Sequence, residues 1–157
     1  MNYMYKVYLI AFLLTIILFI YDNKEHFDDD FVLPGKFDIN IIYFYSIKSN
    51  ESMKLKEQML NLKETMNNNM INCFKIKFYL VNLDQKPLVQ KKYNITQLPT
   101  IFIMYNLKNK IFYENYKKTP SYISLTDAIN NIYVKRLNNA NLEILKQREK
   151  NKNNINS

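Results

Sequence analysis

Cysteine, histidine and glycine are almost absent from this sequence. It contains one cysteine (Cys73), one histidine (His26), one glycine and four prolines among 157 residues. A single cysteine excludes an intrachain disulfide and any cysteine-based metal cluster. A Ser/His/Asp or Cys/His catalytic centre has almost nothing to be built from, and there is no Gly-rich loop to hold a phosphate. We therefore expect neither a metal nor a cofactor.

Apolar residues, by contrast, are plentiful. Hydrophobic residues make up 48% of the chain and aromatic residues 15%, which is enough for one domain with a core plus additional segments. The formal net charge is +8, and the polar C-terminal segment contributes four basic and two acidic side chains to it. That charge favours solubility or attraction to an anionic lipid surface. No nucleic-acid-binding motif accompanies it, so nucleic acid is not an expected partner.

Residues 1–21 are the longest apolar stretch and predict a transmembrane helix. Residues 7–21 carry no charged side chain, and the preceding residues lengthen the run enough to span a bilayer if Lys6 reaches the headgroups. A cleaved signal peptide is the alternative, but it needs small residues at the end of the apolar run. Leu18-Phe19-Ile20-Tyr21-Asp22 provides none, which favours an uncleaved signal anchor.

The charges around this run predict its orientation. Lys6 precedes it and acidic residues follow it, which favours an N-terminus on the cytoplasmic side. We therefore expect a single-pass membrane protein whose soluble domain lies on the non-cytoplasmic side, in a lumen, a periplasm or a virion or at the cell exterior.

Residues 22–36 form an acidic linker after the predicted anchor. The linker contains five acidic side chains, and Pro34-Gly35 marks its end. His26 lies in it and is expected to be solvated. A short edge strand over residues 31–33 is an alternative for its last part.

Residues 37–137 show the apolar patterns of an α/β domain. Residues 37–46 are apolar on both faces, as in a strand covered on both sides, and the apolar residues of 49–67 recur at helical spacing. The predicted order is a strand at 37–46, a helix at 49–67, a strand at 74–81, a short helix from 86, strands at 101–105 and 110–116, and a helix ending near 137.

This order predicts a mixed four-stranded sheet flanked by helices. The last two strands form a hairpin, with asparagine available in the turn at 106–109 for a positive φ. The chain then becomes polar and basic, and residues 138–157 are predicted to be a partly disordered tail with a weak helical segment.

Three short segments carry a more specific signal. The strand Ile41-Ile42-Tyr43-Phe44-Tyr45-Ser46 is followed closely by Ser49-Asn50-Glu51-Ser52 at the start of the first helix. Val81-Asn82-Leu83-Asp84 ends the next strand. Tyr93-Asn94-Ile95-Thr96-Gln97-Leu98-Pro99-Thr100 precedes the hairpin. With the order of elements, these segments make residues 37–133 resemble the thioredoxin-like superfamily.

The resemblance implies a thioredoxin-like fold with a cis Leu98–Pro99 bond that faces the active-site loop. It sets Ser49 and Ser52 where the family carries its two cysteines, and Tyr43 where the family carries a buried acidic residue. Thiol–disulfide exchange needs a thiolate, which a serine hydroxyl cannot replace. Cys73 falls at the start of another strand, away from the loop. The resemblance therefore implies a redox-inactive member that is not an enzyme.

The expected function is to bind or position a protein partner. In the family, extended polypeptides lie along the strand edge beside the cis-proline, and such main-chain hydrogen bonds do not need cysteines. The peptide-binding groove would be bordered by the degenerate active-site positions Ser49, Asn50, Glu51 and Ser52 and by Leu98-Pro99-Thr100. Helix capping alone also explains the two serines. The alternatives are a degenerate thiol–disulfide oxidoreductase that acts with a partner, and a membrane assembly protein that uses its basic tail.

Two sequons are present. Asn50-Glu51-Ser52 and Asn94-Ile95-Thr96 match the N-glycosylation pattern, although chance alone explains them in so Asn-rich a chain. Asn50 and Asn94 are therefore candidate glycosylation sites if the domain enters a eukaryotic lumen, and a glycan on Asn50 would block the groove.

Overall fold

The computed structural model describes residues 32–155. Within that range the chain forms five strands and three helices. In chain order they are β1 (Asp38–Tyr45), α1 (Asn50–Met66), β2 (Met70–Ile71), β3 (Phe74–Asn82), α2 (Pro87–Lys92), β4 (Thr100–Leu107), β5 (Lys110–Asn115) and α3 (Tyr122–Ile155). The order of elements predicted from the sequence is confirmed, with β2 added to it.

The strands form one mixed sheet in the order β2-β3-β1-β4-β5. The central strand β1 runs parallel to β3 and antiparallel to β4. Six of its eight residues are buried, because its apolar side chains point alternately to both faces of the sheet. Tyr45 pairs with Asn82, and Phe44 pairs with Thr100. These four residues mark one end of the sheet, which we call the loop end.

One hydrophobic core joins β1 to α1 and α3. Its members include Ile39, Ile41 and Tyr43 of β1, Met59, Leu62 and Met66 of α1, and Leu125, Ile129 and Ile132 of α3. The helix members are spaced by three and four residues, so each set lies on one face of its helix. Burial of each such side chain is worth roughly 1.5–3 kcal/mol, and the core therefore fixes α1 against β1.

The β4–β5 hairpin closes on a two-residue turn. Lys108 and Asn109 have φ angles of 54° and 60°, the left-handed pair that matches the twist of the flanking strands. The predicted hairpin is thus present, but its turn is shorter than residues 106–109. Asn109 tolerates this conformation well, whereas Lys108 adopts it against the usual preference of a residue with a long side chain.

The sheet has five strands, so the prediction of four strands is wrong in this respect. The additional strand β2 pairs antiparallel with the start of β3. It is flanked by Asn68 and Asn72, whose φ angles are 64° and 53°. A strand of two residues is too short to show an alternating pattern, and for that reason the sequence did not reveal it. Val32 and Leu33 lie outside any strand.

The structure differs from the sequence prediction at the C-terminal end. The last helix was expected to end near residue 137 and to be followed by a partly disordered tail, but α3 is a single helix of 34 residues that reaches Ile155. Its second half contains neither glycine nor proline, and nine of the eleven residues 140–150 are Ala, Leu, Glu, Lys, Gln or Arg, which favour helix. At 1.5 Å per residue α3 is about 50 Å long.

The predicted anchor at residues 1–21 and most of the acidic linker lie outside the described residues, as does His26. Within residues 32–155, none of the helices combines the length and the apolar character needed to cross a bilayer.

Candidate functional site

Three segments meet at the loop end of the sheet. The loop of residues 46–49 follows β1, Asp84 follows β3, and Leu98-Pro99 precedes β4. Tyr45 pairs with Asn82 and Phe44 pairs with Thr100, so the three segments lie close together. Strand β1 and its parallel neighbour β3 both end at the loop end, and its antiparallel neighbour β4 begins there. The segments that the sequence singled out are therefore neighbours in the fold.

Asp84 holds the loop that leads into α1. Its carboxylate accepts hydrogen bonds of 2.8 Å from Ser46 Oγ and of 2.7 Å from the backbone N–H of Ile47. Ser46 Oγ in turn accepts a 3.0 Å hydrogen bond from the N–H of Lys48. Such charge-assisted bonds are stronger than neutral ones, so a single carboxylate orders three consecutive residues. Sequence reasoning noted Asp84 but missed its link to Ser46.

Ser49 and Ser52 have different environments at the start of α1. Ser49 is the N-cap, and its Oγ accepts a 3.2 Å hydrogen bond from the N–H of Ser52. Ser52 is fully buried, and its Oγ has no hydrogen-bond partner among the described residues. Asn50 and Glu51 are exposed on the same turn, where the Glu51 carboxylate favours the positive end of the helix dipole. The capping expected of Ser49 is present.

Tyr43 lies directly beneath this turn. Its hydroxyl donates a 2.6 Å hydrogen bond to the carbonyl of Ser52, and its ring stacks on Tyr45 with a centroid distance of 5.7 Å. Burial, with a smaller contribution from Tyr45, raises the pKa of Tyr43 to about 12. The phenol therefore stays neutral near pH 7, and it cannot accept a proton there as a carboxylate can.

Cys73 lies at the opposite end of the sheet. It precedes the first residue of β3, which runs nine residues toward the loop end. At about 3.3 Å per residue, β3 separates the Cys73 thiol from the loop end by roughly 30 Å. The expectation that Cys73 lies away from the loop is confirmed.

The Leu98–Pro99 peptide bond is cis, as the resemblance implies. The next residue, Thr100, is buried, and its Oγ1 donates a 2.6 Å hydrogen bond to the carbonyl of Gln97. Leu98 lies just outside the β1–β4 ladder, whose last pair is Phe44 with Thr100. Within the described residues, neither the N–H nor the C=O of Leu98 forms a hydrogen bond. A main-chain donor and acceptor are therefore available beside Pro99.

A cleft of about 470 Å³ opens beside Pro99. Its walls come from the segment around Pro99, from Leu55 of α1, from Asn115 at the end of β5, and from residues 116–118 and 120, which follow β5. Among the described residues that line it, Lys117 and Lys118 are the only charged ones. The groove was expected between Ser49–Ser52 and Pro99, but none of those four residues lines this cleft. It opens instead toward the segment after β5.

Sequence reasoning missed the segment after β5. A hairpin strand ends where its partner begins, so the end of β5 returns to the loop end, where β4 starts. Tyr116, just after β5, donates a 2.7 Å hydrogen bond from its N–H to the carbonyl of Ile101. The Thr119-Pro120 dipeptide, which interrupts the strand pattern, was therefore the feature of the sequence that indicated a loop next to Pro99.

The two sequons differ in accessibility. Asn50 is exposed, but the Ser52 that completes its sequon is fully buried. Asn94 is exposed in a left-handed conformation with a φ of 50°, and it also lines the cleft with Thr96. A glycan on Asn94 would therefore lie closer to the cleft than one on Asn50.

Comparison with family models and with curated proteins finds no match for this chain. Solved structures do match. The Trx4 domain of ERdj5 is 16% identical, with a TM-score of 0.51 over 72% of this chain and 90% of that domain. Human ERp44 is 21% identical, with a TM-score of 0.50 over 60% of this chain and 25% of ERp44. The first thioredoxin domain of mouse protein disulfide-isomerase A4 is 14% identical, with a TM-score of 0.48 over 71% of this chain and 69% of that chain.

Identities this low establish the fold alone. The chain has a thioredoxin-like α/β fold, built on a mixed sheet of five strands in the described residues.

Proposed function

We propose that this chain is a redox-inactive, membrane-tethered thioredoxin-like domain that binds or positions a protein partner. The observation that carries the proposal is the pair of hydroxyls at the start of α1, at Ser49 and Ser52. Exchange with a disulfide requires a thiolate as attacking group and as leaving group. Neither hydroxyl supplies one, and Cys73 lies at the far end of β3.

The surface beside Pro99 supports binding of an extended peptide. The N–H and C=O of Leu98 are unpaired within the described residues, and the cleft begins next to them. An extended peptide that pairs with an exposed main-chain segment gains affinity from backbone hydrogen bonds and specificity from pockets for alternate side chains. The cis bond and the cleft supply this kind of surface without any thiol.

The membrane tether rests on the sequence of residues 1–21. An uncharged run from residue 7 to residue 21 is long enough to span a bilayer with its flanking residues. The bias of basic residues before it favours a domain on the non-cytoplasmic side. A tether would hold the cleft near one membrane and raise its effective concentration toward partners there.

The experiment that tests the proposal is site-specific photo-crosslinking in intact membranes. A photo-reactive amino acid in place of Leu98 should yield a discrete crosslinked protein. The matched control replaces Leu88 of α2, which is also a surface leucine, with 45% of its side chain exposed. Equal products from both positions, or none from position 98, would contradict partner binding beside Pro99.

A second candidate function is favoured by the length of α3. Every residue from 140 to 151, a segment that we call the α3 arm, is exposed. The α3 arm carries three basic side chains and two acidic ones, together with the exposed Leu142 and Leu145. A basic helix with apolar side chains suits an assembly role on an anionic lipid surface or an acidic protein surface. If this second function is correct, removal of residues 146–157 should abolish assembly at the membrane. The crosslink from position 98 should persist after this removal only if the first proposal is correct.

A further inference from the structure

We infer that the peptide bound beside Pro99 is acidic and places a carboxylate against Lys117 and Lys118. This inference rests on the proposed function and adds the class of peptide. The charge of the cleft, the position of the two lysines and the hydrogen-bond donors around them support it.

The cleft carries positive charge that the described residues do not neutralise. Within residues 32–155, the charged side chains that line it are those of Lys117 and Lys118, and both are exposed. No ion pair within the described residues involves either of them. Other lysines do have carboxylate partners, and these pairs are Lys77 with Asp38, Lys108 with Glu143, and Lys135 with Glu114.

The acidic residue nearest to these lysines in the chain is already engaged. Glu114 Oε1 accepts 2.7 Å hydrogen bonds from Lys135 Nζ and from the hydroxyl of Tyr105. The hydrogen bond from Lys135, opposed in part by burial, lowers the pKa of Glu114 below its ordinary value. Within the described residues, Glu114 thus stays with Lys135 and leaves the cleft lysines open to an anion from a ligand.

The two lysines lie within reach of a peptide that pairs with Leu98. The N–H of Tyr116 bonds to the carbonyl of Ile101, which is two residues beyond Pro99. Lys117 and Lys118 follow directly, so they lie on the order of 10 Å from Pro99 along the cleft. An extended peptide covers that span with three or four residues. A peptide side chain two to four positions from the residue that pairs with Leu98 would then contact the two lysines.

The remaining polar groups of the cleft suit an anion. Its lining includes the amide side chains of Asn94, Gln97 and Asn115, which can donate hydrogen bonds. No lining residue is an obligate acceptor such as Asp or Glu. An ionised carboxylate only accepts hydrogen bonds, and it therefore complements this set.

The test pans a random dodecapeptide display library against the full chain in a mild detergent. The cleft variant is Lys117→Gln/Lys118→Gln. The matched control is Lys75→Gln/Lys110→Gln, which lowers the net charge equally at exposed positions at the opposite end of the sheet. Thermal unfolding of both variants checks the fold, which exposed and unpaired lysines should not affect. The best peptide and its analogue with Glu→Gln are then compared by fluorescence anisotropy.

We expect the wild type and the control to enrich peptides rich in Asp and Glu. The change of Glu to Gln in the peptide should weaken binding about fivefold, as for an exposed ion pair, and the loss should shrink at high salt. The cleft variant should show no such discrimination. Enrichment without acidic bias, or a bias that the cleft variant keeps, would overturn this inference and leave the proposed function standing. Failure of every chain to enrich any peptide would contradict the proposed function as well.

Discussion

The hydroxyl of Tyr43 donates a 2.6 Å hydrogen bond to the backbone carbonyl of Ser52, and both side chains are fully buried. This bond ties the middle of the central strand to the first turn of α1. It also puts a neutral phenol, with its pKa raised to about 12 by burial and by Tyr45, beneath the turn where disulfide exchange would need a thiolate and a proton acceptor. At this turn the phenol therefore has a structural role, because it joins β1 to α1.

Removal of that hydroxyl should destabilise the fold modestly. Tyr43→Phe keeps the ring and its packing but leaves the Ser52 carbonyl without this donor, so we expect the free energy of unfolding to fall by about 1 kcal/mol. Urea denaturation of the full chain measures it. Tyr113→Phe, which removes the hydroxyl of an exposed tyrosine, should change stability by less than about 0.5 kcal/mol. Equal losses in the two variants would show that the Tyr43–Ser52 bond contributes nothing specific.

The two serines should respond oppositely to alanine. Ser49→Ala removes the N-cap acceptor for the N–H of Ser52 and should cost about 1 kcal/mol of stability. Ser52→Ala removes a buried hydroxyl that has no hydrogen-bond partner among the described residues, so stability should stay the same or rise, because burial of an unpaired hydroxyl is unfavourable. The urea concentration at the midpoint of unfolding, measured for each variant, tests both predictions. A larger loss from Ser52→Ala would mean that its hydroxyl has a partner or function of its own.

Replacement of Asp84 should loosen the loop before α1. Asp84→Ala removes the acceptor for Ser46 Oγ and for the N–H of Ile47, so the Ile47 amide should exchange its hydrogen faster, by about tenfold or more. Hydrogen exchange measured by NMR or mass spectrometry reports this directly. Asp127→Ala, at an exposed position of α3, should leave exchange in the loop unchanged. Unchanged exchange in both variants would refute the role of Asp84.

Stability should depend on Glu114 at acid pH. The hydrogen bond from Lys135, opposed by burial and aided by Tyr105, holds the pKa of Glu114 below its ordinary value of 4.5 in the folded state. The unfolded state therefore binds a proton first as the pH falls, so the contribution of Glu114 is complete above about pH 4.5 and is lost as the pH drops through the lower folded pKa. Urea unfolding at about pH 6 and about pH 3 should show a smaller acid loss for Glu114→Gln than for the wild type.

A control for this pH effect is Glu149→Gln, which removes an exposed carboxylate on the arm of α3. It should keep the acid dependence of the wild type. If Glu114→Gln also keeps it, the pair with Lys135 does not stabilise the folded state, and half-exposed pairs of this kind are often that weak.

The sequence predicted those features that depend on local pattern. Strand β1 is apolar on both faces, and α1 carries its apolar residues at helical spacing, so both elements and their packing followed from the residues. The N-cap at Ser49 followed from residue type. The cis Leu98–Pro99 bond came only from the resemblance, because nothing in the dipeptide itself requires it.

The features that the sequence did not predict depend on distant residues. The hydrogen bond from Ser46 to Asp84 joins residues 38 positions apart, and the wall of the cleft at Lys117 and Lys118 is set by the return of β5 to the loop end. The continuation of α3 as one helix beyond residue 137 was not predicted, because the polar residues there suggested disorder. This part of the chain contains no glycine or proline, and the helix propensity of its other residues outweighed that indication.

Insulin reduction in the presence of dithiothreitol tests the central claim most directly. The full-length wild type should not accelerate the reaction above the rate with dithiothreitol alone, since the start of α1 carries hydroxyls where the exchange needs sulfur. Ser49→Cys/Ser52→Cys serves as the positive comparison, because it restores two thiols on the same turn. Acceleration by the wild-type chain, abolished by Cys73→Ser or by Ser49→Ala, would contradict the claim that this domain offers a binding surface and not a redox reaction.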